Sequence, residues 1–276
     1  MTSLRAAQDR TALKPKTEEF LYLLLWSCEK LTRPTFRNMT ESFEGWAYRN
    51  GFHRQLARLE KLQLVESQIQ TATQRAVRLT EAGRVRALGG RDPAAWWLRP
   101  WDGLWRMVLF DVPVSRDSTR NKLRDYLRHR GFGFLQRSVW ITPHPLTDER
   151  QALAGSHIDV ESLILVEARP CAGESDAEIV AGAWDFNSIN RRYAKHLEIL
   201  GLRPRGRIGS LSGAKALQRW AGNEREAWEA AVSMDPLLPS CLLPPAYLGR
   251  KAWRERGSTL AEAAEEIRTF KAPDEG

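Results

Sequence analysis

Residues 105–132, WRMVLFDVPVSRDSTRNKLRDYLRHRGF, decide the fold. Trp105 to Asp111 is apolar on both alternating faces, the pattern of a strand central in a sheet. Ser115 can cap the segment that follows, where Leu123, Tyr126 and Leu127 recur at helical spacing. Arg120, Arg124 and Arg128 fall at i, i+4 and i+8 on the outer side of that helix. GFGFLQ and SVWIT then read as strands, and ESLILVE, residues 161–167, as a fourth. Strand, helix, two strands, a second crossover and a last strand make the ferredoxin-like split βαβ. The fold class is therefore α+β, with this ferredoxin-like domain at residues 96–170.

Upstream, TEEFLYLLLWSCEK (residues 17–30) carries Phe20, Leu21, Leu24 and Leu25 at helical spacing behind Thr17, a candidate N-cap. A second helix is expected around residues 39–48, before the turn at Asn50-Gly51. In the third, GFHRQLARLEKL, Phe52, Leu56, Leu59 and Leu62 line one face. Arg54, Arg58 and Lys61 lie at i, i+4 and i+7 on another, with His53 and Gln55 on the polar flanks. VES, a polar loop QIQTATQR and the alternating AVRL then predict a two-stranded hairpin, and Thr80 caps a further helix, TEAGRVRALG. Helix, helix, basic helix and hairpin follow the order of a winged helix-turn-helix domain at residues 1–95. In that fold the third helix enters the major groove and the hairpin touches the backbone or the minor groove. The expected DNA contacts are Asn50, His53, Arg54, Arg58 and Lys61 on or beside the helix, and Thr73, Gln74 and Arg75 at the wing.

The charge agrees with that placement. Of a net +8, residues through Ala95 hold 16 Lys+Arg against 10 Asp+Glu, whereas the remainder holds 26 against 24. The excess lies where a polyanion would dock. Residues 91–104, RDPAAWWLRPWDGL, form a linker whose Trp96, Trp97 and Trp101 read as anchors pinning domains together rather than as a stacking platform for bases or an adenine ring. Beyond Pro170 the pattern is helical: AEIVAGAW, FNSINRRYAKHLEILG, a helix around 212–233, and a last one from about Leu260 to Phe270. Between the last two, MDPLLPSCLLPPAYLG holds four prolines and predicts an extended strap. These segments form a C-terminal helical domain at residues 171–276, a candidate for dimerisation and effector response.

Other functional classes find little support. The longest clean apolar run, Phe20 to Trp26, is too short to span a bilayer, and no signal-peptide pattern opens the chain. Cys28, Cys171 and Cys241 are far apart and odd in number, giving neither a disulfide framework nor a metal spacing and predicting a cytoplasmic protein. The five histidines are scattered, and there is no nucleophile elbow or phosphate-binding glycine loop. No cofactor is expected.

Three stretches carry a resemblance to a known family. WDGLWRMVLFDVP with GFGFLQRSVWITPH follows the pattern W-D-G-x-W-R-x-V-x-F-D-x-P … G-F-G-x-L-Q-x-S-V-W-I-x-P. AWDFNSINRRYAKHL and DPLLPSCLLPPAYLG follow two further family segments, the last with Tyr247 where a tryptophan is usual. These stretches resemble the PaaX-type transcriptional repressors of phenylacetic-acid catabolism, in the family's order across residues 101–249. Arg58-Leu59 falls on the family's Arg-Leu pair in the recognition helix, while His53 and Arg54 depart from its usual residues. The resemblance implies a cytoplasmic homodimeric repressor of a catabolic operon, bound to a double-stranded DNA operator and released by an acyl-coenzyme A, typically an aryl one.

The middle segment is also similar to the small ferredoxin-like nuclease subunit of CRISPR adaptation machinery, in which an aspartate ending the first strand is proposed to bind a metal. Asp111 holds the matching position, so a metal-dependent nuclease is the alternative reading. A divalent ion needs several converging oxygen ligands, and only Asp117 follows nearby. A strand-end carboxylate that takes backbone N–H donors and fixes the next helix is the simpler role for Asp111, and no catalytic residue is expected.

Overall fold

The computed structural model describes residues 52–71, 74–87, 91–111, 117–136, 138–146, 162–204 and 211–269. The helices expected at 17–30 and 39–48, together with Asn50, Thr73 and the crossover between residues 147 and 161, lie outside them. The elements are α1 (Phe52–Lys61), β1 (Val65–Thr71), β2 (Gln74–Leu79), α2 (Glu81–Ala87), α3 (Pro93–Trp97), β3 (Trp105–Asp111) and α4 (Asp117–His129). Then come β4 (Gly133–Gln136), β5 (Val139–Thr142), β6 (Ser162–Ala168), α5 (Asp176–Ala183), α6 (Phe186–Gly201), α7 (Leu211–Val232), a 3-10 turn (Ser240–Leu242) and α8 (Gly249–Thr269). Mixed helix and antiparallel sheet make this an α+β chain. It groups into two compact units, one holding residues 93–192 and 231–248, the other residues 52–92, 193–230 and 249 onward.

The first unit is built on a four-stranded sheet in the order β4-β5-β3-β6, every neighbouring pair antiparallel. That is the ferredoxin-like order, and β3 is central as its two apolar faces require. Val108 and Phe110 from β3 pack with Leu123 and Leu127 from α4, Phe132 and Trp140, all buried. Burying side chains of this size stabilises by roughly 1.5–3 kcal/mol each, so the α4–sheet contact contributes strongly to cohesion here.

The strand is less uniformly apolar than its sequence suggests. Arg106, only 4% exposed, donates to Asp102 Oδ1 at 2.8 Å, Glu167 at 2.9 Å and the Pro143 carbonyl at 3.1 Å. The Arg106 guanidinium in turn holds the Asp102 carboxyl at about 2. Around it the segment WDGLWR folds as one turn. Trp101 Nε1 donates to the Leu104 carbonyl at 3.0 Å, the Leu104 amide donates to Asp102, and Gly103 supplies a φ of 76°. Trp105, fully buried, donates to Asp176 at 2.8 Å.

Residues 175–186 and 231–248 close the same unit. Ser175 and Glu178 form a capping box at the start of α5, a reciprocal arrangement that satisfies two orphan amides. Trp184 donates to the Gly131 carbonyl at 3.2 Å. It lies so close to β4 that a Cβ on Gly133 would come within 2.6 Å of its ring. The strap after α7 turns on Asp235, which accepts the Leu237 amide at 2.8 Å and the Tyr247 hydroxyl. Tyr247 also meets Trp97 and Phe186 edge-on. Trp96, Trp97 and Trp101 each make ring contacts within this unit; Trp96 meets His144 edge-on and Trp101 rests on Trp105.

Two expectations about elements need correcting. The hairpin strands run further than the short VES and AVRL, because backbone pairing continues through Gln68↔Ala76 and Ile69↔Arg75 despite the polar side chains. The last helix begins at Gly249, eleven residues before the expected Leu260. Its buried positions among the described residues include Gly249, Ala252, Arg256, Leu260 and Ala263. An arginine in the core phase and Gly257 beside it interrupt the apolar period that marks a helix.

Candidate nucleic-acid interface

The helix–hairpin–helix at residues 52–87 holds the described part of the expected DNA-binding surface. Leu56 and Leu59 on α1 are buried with Val65 on β1 and Ala87 on α2. The end of α1 is fixed by a Schellman arrangement, with Leu64 N donating to Leu59 O at 2.9 Å and Gln63 N to Glu60 O at 2.9 Å. Gln63 stands at φ 56°, the left-handed position that usually belongs to glycine. Thr80 then fastens the far end of the hairpin. Its amide donates to Leu64 O, its hydroxyl donates to Gln63 O at 2.8 Å, and the same hydroxyl accepts from Gly83 N at 3.0 Å. A Cβ on Gly83 would stand 1.8 Å from Leu64 O, so α2 seats directly on the turn leaving α1.

On this frame Arg58 is half-buried and Lys61 exposed, both in the last turn of α1. Cations there also suit the negative end of the helix dipole, so local helix stability alone would favour them. His53 and Arg54 belong to the same continuous helix, which sets positions 54, 58 and 61 along one side of its axis. Gln74 and Arg75 open β2 opposite Thr71 and Ile69, at the hairpin tip. Asn50 and Thr73 lie outside the described residues. Arg84 is engaged elsewhere, in ion pairs with Glu81 at 2.8 Å and Asp92 at 2.9 Å.

Two other groups could hold chemistry. Asp111 ends β3, its backbone in register with Ser162 of β6. Among the described residues no three His, Cys, Asp or Glu side chains cluster as a metal site would require. The second group is in the other unit and was not anticipated: His196 on α6, Glu224 on α7 and Arg256 on α8, each 0% exposed. Glu224 Oε1 receives His196 Nε2 at 2.8 Å and Arg256 Nε at 2.7 Å. Trp228 lies against both, 5.2 Å from the imidazole and 4.6 Å from the guanidinium carbon. Burial drives the Glu224 carboxyl upward, but Arg256 and His196 outweigh it and hold it at about 2. With no access from solvent, these groups lock three helices together rather than meet a substrate. A signal existed in the sequence: each charged residue occupies a core phase, in the runs Tyr193-His196-Leu200, Leu217-Trp220-Glu224-Trp228 and Ala252-Arg256-Leu260.

Residues 98–180 match the family described as the PaaX protein central Cas2-like domain. That span is similar to a PaaX-type central domain. The matched span begins beside the WDGLWR turn, takes in the whole four-stranded sheet, and ends in α5. The match suggests a regulator. No curated protein matches the sequence. A solved structure, the uncharacterized protein Rv0674 from Mycobacterium tuberculosis, is similar at 20% identity and a TM-score of 0.51, over 79% of this chain and 82% of that one. At that identity the likeness concerns the fold. Among the described residues, no helix is long and apolar enough to cross a membrane.

Proposed function

We propose that the chain is a DNA-binding transcriptional repressor of a catabolic operon, with residues 1–95 acting as a winged helix-turn-helix reader. In this reading the ferredoxin-like segment and the C-terminal helices (171–276) pair two copies in the cytoplasm and respond to a small acyl-coenzyme A, an aryl one by resemblance. The observation that carries it is the rigid seating of α1 against its hairpin, with Arg58 and Lys61 on the outer side, in a chain whose central domain is PaaX-type. A reader helix must be held in fixed register against its wing, because base-edge contacts specify only when the backbone contacts position them.

The test is retardation of duplex DNA from the region upstream of the protein's own gene, with and without magnesium and with aryl-acyl-coenzyme A added. Retained, intact duplex released by the acyl-coenzyme A supports the repressor. A magnesium-dependent loss of full-length duplex that Asp111→Asn abolishes would establish the nuclease instead.

A further inference from the structure

The two edges of the central sheet are finished differently. Strand β4 is four residues long, and its register with β5 slips between Phe134 and Gln136. Ala183 and Trp184, at the end of α5, lie against its Gly133. Shortness, a bulge and a cover are devices that keep a sheet edge from pairing with another chain. Strand β6, at the opposite edge, shows none of them among the described residues. It runs seven residues in unbroken register with β3 and contains neither proline nor lysine. Among the described residues, its backbone makes no hydrogen bond beyond that ladder.

The side chains of β6 agree with an open edge. Leu165 turns to the α4 side and packs against the buried cluster there, so Ile164 and Val166 point to the opposite face. On that face Trp184 meets Trp105 and Gly133, and Ile141, the partner of Gly133, is fully buried. Towards β6 the cover ends. Leu109 and Met107 on β3 are half-buried, while Ile164 and Val166 beside them are 54% and 36% exposed. Two apolar rows, Val139-Leu109-Ile164 and Ile141-Met107-Val166, therefore cross the sheet and stop at an edge with no next strand.

We propose that β6 pairs antiparallel with β6 of a second copy, about a two-fold axis at Leu165, joining two four-stranded sheets into one. The inference rests on the homodimer reading above and names the edge that makes the contact. This register is self-complementary. Ile164 falls opposite Val166 of the second copy, and Val166 opposite Ile164, so each apolar row continues into the other across the axis. One position beyond each end of the strand the sequence has Glu161 and Arg169, opposite charges that the same register brings together twice. A slip of one residue would lose both matches. An unrelated extended peptide would satisfy the backbone alone, whereas a second copy also supplies the matching side chains.

The experiment has two arms, both on the full-length chain. In the first, light scattering over a dilution series follows Ile164→Lys with Val166→Lys, two exposed positions whose change sets like charges against each other only in the paired state. Self-association should weaken by at least about tenfold, leaving a folded species of 31.5 kDa. In the second arm Cys28, Cys171 and Cys241 are replaced by serine, and Ile164→Cys and Val166→Cys are prepared separately and then mixed. Directly opposed residues stand about 4.5–5.5 Å apart at Cα, within disulfide reach, whereas copies of one variant meet only diagonally at about 7–8 Å. Oxidation of the mixture should therefore give far more linked dimer than either variant alone. If circular dichroism shows the lysine variant unfolded, the cysteine mixture decides alone. A dimer that keeps wild-type affinity in the folded lysine variant, or a mixture that links no better than its components, overturns this inference and leaves the homodimer reading intact. A wild type that is monomeric throughout overturns both.

Discussion

Two helices end in the same way with different residues at the critical position. Helix α4 closes with Phe132 N on Leu127 O and Gly131 N on Arg128 O, both at 3.0 Å, and Gly131 at φ 84°. Helix α1 closes identically but places Gln63 at φ 56°. A side chain in that region costs on the order of 1 kcal/mol, so Gln63→Gly should raise the stability of the module by about 0.5–1 kcal/mol. Gly131→Ala should lower that of the sheet unit by at least as much, and chemical denaturation of both variants checks the pair. Tyr247 stands where the family usually has tryptophan, and its hydroxyl donates to the buried Asp235. Tyr247→Phe removes that charge-assisted bond and should cost about 1–3 kcal/mol in the same assay. The family motifs were legible as residues, but what they do was not. Asp102, Gly103, Arg106, Trp184 and Asp235 each serve a turn or a cap whose partner is distant in sequence or is a backbone atom.

At the scale of elements, helix α1 should lose duplex affinity when its cations are removed. Arg58→Ala should cost about 1–3 kcal/mol if the side chain reaches a base edge, while Lys61→Ala should flatten the salt dependence by about 0.9. Binding unchanged in both would take this helix out of the interface. The helices joined by Glu224 carry the clearest pH signature. Its folded pKa of about 2 lies below the ordinary 4.5, so its contribution is complete above about 4.5 and is lost as pH falls towards 2. Unfolding followed by tryptophan fluorescence should show that acid limb, and Glu224→Gln should remove it while lowering stability at neutral pH by about 3–5 kcal/mol. Periodicity revealed α4, α6 and the sheet strands because most of their buried positions are apolar, with His196 and Arg106 among the exceptions. It missed the first half of α8 for the reason that makes α8 important: Arg256 occupies a core position to reach Glu224.

At the scale of the molecule, the proposed repressor should be a homodimer on an inverted repeat. A single module covers few base pairs, and two-fold symmetry doubles its readout. Light scattering giving twice 31.5 kDa at micromolar concentration, with two chains per operator, is the expected result. A monomer binding singly would remove the symmetric reading. The ferredoxin-like sheet could be read from one stretch because strand order follows from connection length and alternation. The grouping of residues 231–248 with that sheet could not, since a proline-rich segment has no period to show which surface it covers. The His196–Glu224–Arg256 lock also sets an order of assembly during synthesis. Glu224 leaves the ribosome thirty-two residues before the arginine that compensates it. Helices α6 and α7 can therefore meet only around an unbalanced carboxylate until α8 is made. A message with a premature stop anywhere before codon 256 should yield a polypeptide that never completes this unit and is cleared by proteases, so late nonsense alleles should behave as full nulls.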